Sequence, residues 1–203
     1  MTSIDMQNKT RALVEVCHYL GARGWCPATG GNFSVRLDDD QCLITRSGKD
    51  KSRLSETDLM VCTLDGKAVD ASLRPSAETA LHTRLYRIDH DIGAVLHTHS
   101  VNSTVLSRTA ADKLSVNGFE MQKALCGNRT HDETIEIAIF DNDQNIEALA
   151  AKVEKNMPVQ PGFLVRGHGL YAWGRDINEA RRHVEGFEFL FACLMQEKLL
   201  AGK

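Results

Sequence analysis

The sequence predicts an α/β fold in which helices cover a sheet of short strands. Three observations predict it: apolar residues at helical spacing near both ends, short alternating segments bounded by turn residues, and an apolar run entering His97-Thr98-His99. No repeat, linker or low-complexity stretch interrupts the chain, so residues 1–203 are read as one domain, long enough to bury a substantial core. With 42% hydrophobic and 25% charged residues, disordered and fibrous classes are excluded. A net charge of -3 gives no general attraction for nucleic acid or an anionic membrane.

The elements follow in order. From Met6 to Ala22, residues Ala12, Leu13, Val16, Cys17 and Leu20 keep a helical period that Gly21 and Gly24 end. Alternating segments at Asn32–Arg36, Gln41–Thr45 and Leu59–Thr63, with turn-like Leu37-Asp38-Asp39-Asp40 and Leu64-Asp65-Gly66-Lys67, predict antiparallel strands. Pro75 opens a helix carrying Ala77, Ala80, Leu81, Leu85 and Ile88, with Ser76 in its first turn. Further on, Thr134–Phe140 reads as a strand, Asn145–Lys155 as a helix and Gly162–Arg166 as a strand entering His168. Asp176 and Glu179 form a capping-box pattern before a final helix bearing Ala180, Val184, Phe187, Phe191 and Leu194.

The first ten residues contain no apolar signal core, and no apolar run approaches the ~20 residues of a membrane span, so a cytoplasmic protein is expected. Six scattered cysteines, 17, 26, 42, 62, 126 and 193, have no Cys-x-x-Cys spacing and read as reduced thiols.

Side chains two apart on a strand share a face, so His97 and His99 can converge on one ion. His168, between Gly167 and Gly169, is the candidate for a third donor, and three histidines would leave an open position for a substrate. A His-x-His strand can equally line a pocket as a hydrogen-bonded pair. Two glycine-containing turns suit an anion: Ala28-Thr29-Gly30-Gly31-Asn32-Phe33-Ser34 and Thr45-Arg46-Ser47-Gly48-Lys49. Ordinary turn chemistry explains either one alone. Lys49, Lys51 and Arg53 fit attraction of a phosphate or a solvated basic turn, while His18, His82, His90 and His183 read as surface or packing histidines.

Taken together, Thr29-Gly30-Gly31-Asn32-Phe33-Ser34, Ile44-Thr45-Arg46-Ser47-Gly48-Lys49, Arg74-Pro75-Ser76-Ala77-Glu78, His97-Thr98-His99-Ser100 and Gly167-His168-Gly169 resemble, in that order, the class II aldolase/adducin family. The resemblance spans almost the whole chain. It implies a three-layer α/β/α fold with a largely antiparallel central sheet, and a homotetramer with active sites near subunit interfaces. It implies one Zn2+ per subunit on His97, His99 and His168, and a phosphate held by Thr29, Gly31, Asn32, Ser47, Gly48 and Ser76. Family aldolases carry a second small hydroxyl residue where this chain has Ala77.

Glu120, in Phe119-Glu120-Met121-Gln122-Lys123, and the segment Arg166–Gly174 resemble the branch that dehydrates a phosphorylated methylthio-sugar in methionine salvage. Such a reaction removes a proton beside a ketone, so the developing enediolate must be stabilised. The resemblance makes Glu120 the acid/base, with Glu78 the second catalytic candidate. Retro-aldol cleavage or epimerisation of a sugar phosphate on the same scaffold is the alternative, and a non-catalytic adducin-like module the third reading.

Overall fold

The computed structural model describes residues 2–76 and 78–202, and the expectations placed on Ala77 lie outside the described residues. Helix α1 (Ser3–Ala22) starts before the apolar period does, because Thr2 and Asp5 satisfy each other's main-chain N–H groups in a capping box. Strands β1 (Asn32–Arg36), β2 (Gln41–Thr45) and β3 (Leu59–Thr63) form an antiparallel meander with the bounds that alternation predicts. Helix α2 (Thr79–Ile88) corrects an expectation: Pro75 and Ser76 precede it, so Ser76 stands outside its first turn. Glu78 occupies the N-cap position instead.

Strand β4 (Ala94–Thr98) leads into α3 (Val101–Thr109), which the sequence reading missed. Val-Asn-Ser-Thr-Val-Leu-Ser-Arg-Thr is poor in strong helix formers. A local cap and tertiary bonds supply what propensity lacks: Ser100 caps the first turn, and Arg166 donates to the carbonyls of Ser107, Ala110 and Ala111 at 2.7–3.0 Å. Strand β5 (Lys113–Val116), also missed, precedes β6 (Ile135–Phe140), α4 (Ile146–Lys155), β7 (Gly162–Val165) and β8 (Gly169–Gly174). Helix α5 (Ile177–Ala201) is capped by Asp176, whose carboxylate accepts from Asn178 and Glu179 N–H. Glu179 does not close a capping box; it accepts from the Arg175 N–H and side chain.

The eight strands run β3-β2-β1-β4-β8-β7-β6-β5, antiparallel except for β6 beside β7. Alternation along β4 sends Ala94 and Leu96 toward α1 and α5, and Val95 toward α2 and α4. Two cores result, one on each face of the sheet. The fold is therefore a three-layer α/β/α sandwich with a largely antiparallel central sheet. No helix among the described residues is long and apolar enough to cross a membrane. The cysteines are free: 17, 26, 42 and 62 are buried, Cys193 is half-buried and Cys126 is exposed.

Close approach of two chain segments explains one glycine near the site. A Cβ on Gly169 would lie 2.0 Å from the Thr98 carbonyl oxygen, so only glycine lets β8 close on the end of β4. This contact brings the turn carrying His168 against the His97 strand.

Candidate active site

Register places the first donor. His97 lies opposite Asn32 on β1 and opposite Tyr171 on β8, and its ring stacks on Tyr171 at 3.9 Å with 13° between planes. Its Nδ1–H donates to the Leu170 carbonyl at 2.9 Å, which leaves the Nε2 lone pair facing the cluster. His99 follows at the end of β4, its N–H bonded to the Trp25 carbonyl at 2.7 Å. His168 sits in the turn between β7 and β8, with Gly167 at φ +67°, and Thr104 donates to its carbonyl.

These three histidines meet. Nε2 of His97 lies 2.7 Å from that of His99 and 3.3 Å from that of His168, and the latter two are 3.0 Å apart. Glu78 joins them, 3.2 Å from His168 Nε2 and 3.6 Å from His97 Nε2. All four ligand atoms fall within 4.8 Å of one another.

The donor set fits a divalent ion. Nitrogens bound at ~2.0–2.1 Å around a tetrahedral centre stand ~3.3–3.4 Å apart, and the three nitrogen pairs here, at 2.7–3.3 Å, need only small side-chain shifts to reach that spacing. Burial, then the neighbouring imidazoles, hold His97 well below the ordinary histidine pKa, and burial with His168 and Lys51 brings His99 to about 4. Unprotonated nitrogens are what a metal requires. A carboxylate at the edge adds the charge that three neutral rings lack.

The anion-type loops pack beside this cluster. A Cβ on Gly30 would stand 2.7 Å from His99 Nδ1, and one on Gly31, at φ +75°, 2.6 Å from the His97 carbonyl. Glycine is what lets the Thr29–Asn32 segment touch both histidines. Lys51 ties that segment to the second loop: its ammonium donates to the carbonyls of Thr29 at 3.1 Å and Lys49 at 2.7 Å. The side chain is buried, so the solvated-turn reading of Lys51 is overturned. Ser47 and the open, positive-φ Gly48 lie in the loop so tied. Ser76 Oγ accepts weakly from the Glu78 main-chain N–H at 3.4 Å, in the turn that leads into Glu78.

Asn32 takes a place the sequence did not suggest. Its Nδ2 donates to Glu78 Oε2 and its Oδ1 meets His82 Nε2. His82 is wholly buried, and its spacing from Glu78 is the signal that could have found it, since residues four apart share a helix face. His18 and His183 bond to main-chain groups as packing histidines do.

Glu120 is not brought into the cluster on its own chain. It opens a 3-10 turn, Glu120–Ala124, that Gln122 anchors by accepting from the Phe119 N–H and donating to the Glu133 carbonyl. The carboxylate is 72% exposed, bonded to Lys123 at 2.6 Å and near His131 at 3.4 Å. The Lys123 bond lowers its pKa, so its own chain does not supply the partial desolvation expected of it.

Glu188 also escaped the sequence reading. It lies under β4 on α5, 2% exposed, with Oε1 3.5 Å from the Thr98 hydroxyl and Oε2 without a partner among the described residues. Burial pushes its carboxyl from 4.5 up to about 7. A raised carboxyl pKa favours the folded state fully below the unfolded value, and that contribution is lost as pH rises through about 7. Glu188→Gln is therefore expected to gain stability over the parent between pH 5 and pH 8, by at most about 3 kcal/mol. Urea melts at the two pH values check this; a constant difference would contradict it.

The sequence profile described as Class II Aldolase and Adducin N-terminal domain matches residues 11–195. Methylthioribulose-1-phosphate dehydratase of Serratia proteamaculans (strain 568) is 57% identical over 197 residues, covering 95% of this chain and 97% of the relative. The protein of the same name from Yersinia pestis (strain Pestoides F) is 56% identical, covering 93% and 86%. Among solved structures, l-fuculose-1-phosphate aldolase from Thermus thermophilus superposes with a TM-score of 0.80 at 28% identity, covering 97% and 98%. A sugar-phosphate aldolase from Thermotoga maritima, 20% identical with a TM-score of 0.72, shares the fold over 97% of each chain. A profile match over nearly the whole chain and relatives this similar leave one conclusion: the chain belongs to the class II aldolase and adducin family.

Proposed function

We propose that residues 1–203 form one catalytic domain that dehydrates 5-methylthioribulose 1-phosphate to 2,3-diketo-5-methylthiopentyl 1-phosphate, a step of methionine salvage. The observation that carries this reading is the 57% identity to a protein of that name along 95% of the chain. The reaction removes the C3 proton and the C4 hydroxyl as water, and the resulting enol becomes the diketone.

The chain's residues divide the work. His97, His99 and His168, with Glu78 at their edge, would hold one divalent ion, Zn2+ in this reading, which supplies Lewis acidity beside the developing negative charge. Thr29, Gly31, Asn32, Ser47, Gly48 and Ser76 bind the phosphate through main-chain N–H groups, hydroxyls and the second N–H of the Asn32 amide. The buried Lys51 holds the first two loops together. Glu120 takes the C3 proton and returns one to the departing C4 hydroxyl, and Glu78 is the second acid–base group.

Because Glu120 is exposed on its own chain, it reaches a reaction centre by docking against another copy. A cytoplasmic homotetramer whose neighbouring subunits complete each site is the assembly this reading requires. Metal-loaded protein incubated with 5-methylthioribulose 1-phosphate should yield the diketone with loss of one water. A two-carbon or three-carbon fragment would instead identify an aldolase, and an isomer of unchanged mass an epimerase.

A further inference from the structure

Helix α2 and strand β1 meet through side chains whose spacings match. Residues four apart on a helix rise about 6.0 Å, and residues two apart on a strand advance about 6.6 Å. Glu78, His82 and Tyr86 thus interleave with Asn32 and Ser34. The contacts form one unbroken chain: Glu78 to Asn32, Asn32 to His82, His82 Nδ1 to Ser34 Oγ at 2.7 Å, and Ser34 Oγ to Tyr86 Oη at 2.7 Å. Every member beyond Glu78 is at most 4% exposed, so water cannot substitute for a missing partner.

A carboxylate only accepts, and this sets the direction of the whole chain. Asn32 must turn an N–H toward Glu78, so its Oδ1 faces His82. His82 must then carry its proton on Nε2 and accept on Nδ1. Ser34 donates to that bare nitrogen and receives from the Tyr86 hydroxyl. Burial keeps His82 neutral, at about 3, and Tyr86 protonated, so each group has the one proton its place needs.

We propose that His82 is a positioning residue that locks the Asn32 amide with its N–H toward Glu78, so that the carboxylate stays aimed at the three histidines. With the amide reversed, its oxygen would face the carboxylate oxygen and push it from the cluster. This rests on the reading of that cluster as the reaction centre. Partners at this remove from a metal centre typically change activity about 10–100-fold when lost.

The test has two arms. In the metal-loaded enzyme labelled with 15N-histidine, the ring nitrogens of His82 should show the Nε2–H tautomer; the Nδ1–H tautomer would overturn the proposal without reference to activity. In the second arm, His82→Leu should lower kcat at least about tenfold with KM within about threefold. His82→Gln, whose amide N–H can replace Nε2–H, should recover kcat to within about threefold of the parent. Near-parental kcat in His82→Leu, or no recovery in His82→Gln, refutes the role. If His82→Leu does not fold, the tautomer and the glutamine variant still decide. Parent enzyme that leaves the phosphosugar unchanged would refute the functional reading alone, because the tautomer arm needs no substrate.

Discussion

Replacing His97 by alanine is expected to remove the bound divalent ion and lower kcat/KM by about 10³-fold or more. A Lewis acid next to developing charge supplies several kcal/mol, and each ~1.4 kcal/mol is about tenfold in rate. His97 is the most deeply buried of the three histidines, and its Nδ1 bond to Leu170 fixes the ring. Metal analysis after dialysis, with turnover measured in parallel, checks the expectation. An unchanged metal content in His97→Ala would remove the histidine cluster from the metal assignment. The loss of stacking on Tyr171 will also cost stability, so a thermal melt must accompany the measurement.

The second large effect is expected from Glu120→Gln: kcat lower by about 10²–10⁴-fold with metal content retained. Gln122 anchors the turn through its own bonds, so the substitution leaves the fold intact. A mixed assembly then tests where Glu120 acts. Combining His97→Ala and Glu120→Gln subunits, each inactive alone, should restore about a quarter of parental activity if every site takes its histidines from one chain and its glutamate from a neighbour. No recovery would return Glu120 to its own chain's site or exclude it. Near-parental turnover in Glu120→Gln would move the acid–base role to Glu78, the carboxylate already beside the histidines.

What was legible in the sequence follows from the range of the forces involved. β1, β2 and β3 were readable because period-two alternation and turn residues act between near neighbours. Helix α3 was not, because its residues are weak helix formers and its C-terminal carbonyls are satisfied by Arg166, more than fifty residues away in sequence. Ser76 was misplaced for a related reason: Pro75 favours a helix start locally, but the chain turns into α2 only where Glu78 reaches the cluster.

The site divides in the same way. The His97-Thr98-His99 spacing and the glycine-flanked His168 announced donors with a common purpose, since residue chemistry and strand period travel with the sequence. That the Asn32 amide faces Glu78, and that His82, Lys51 and Glu188 are buried, are decisions of the tertiary structure. Each depends on a partner brought from a distant segment, as Asn32 and Glu78 are from 46 residues apart. By itself the sequence pointed to the fold class, most of the elements and the three histidines that the fold brings together. Packing decided which polar group faces which, because a buried donor or acceptor is satisfied only by what the fold places against it.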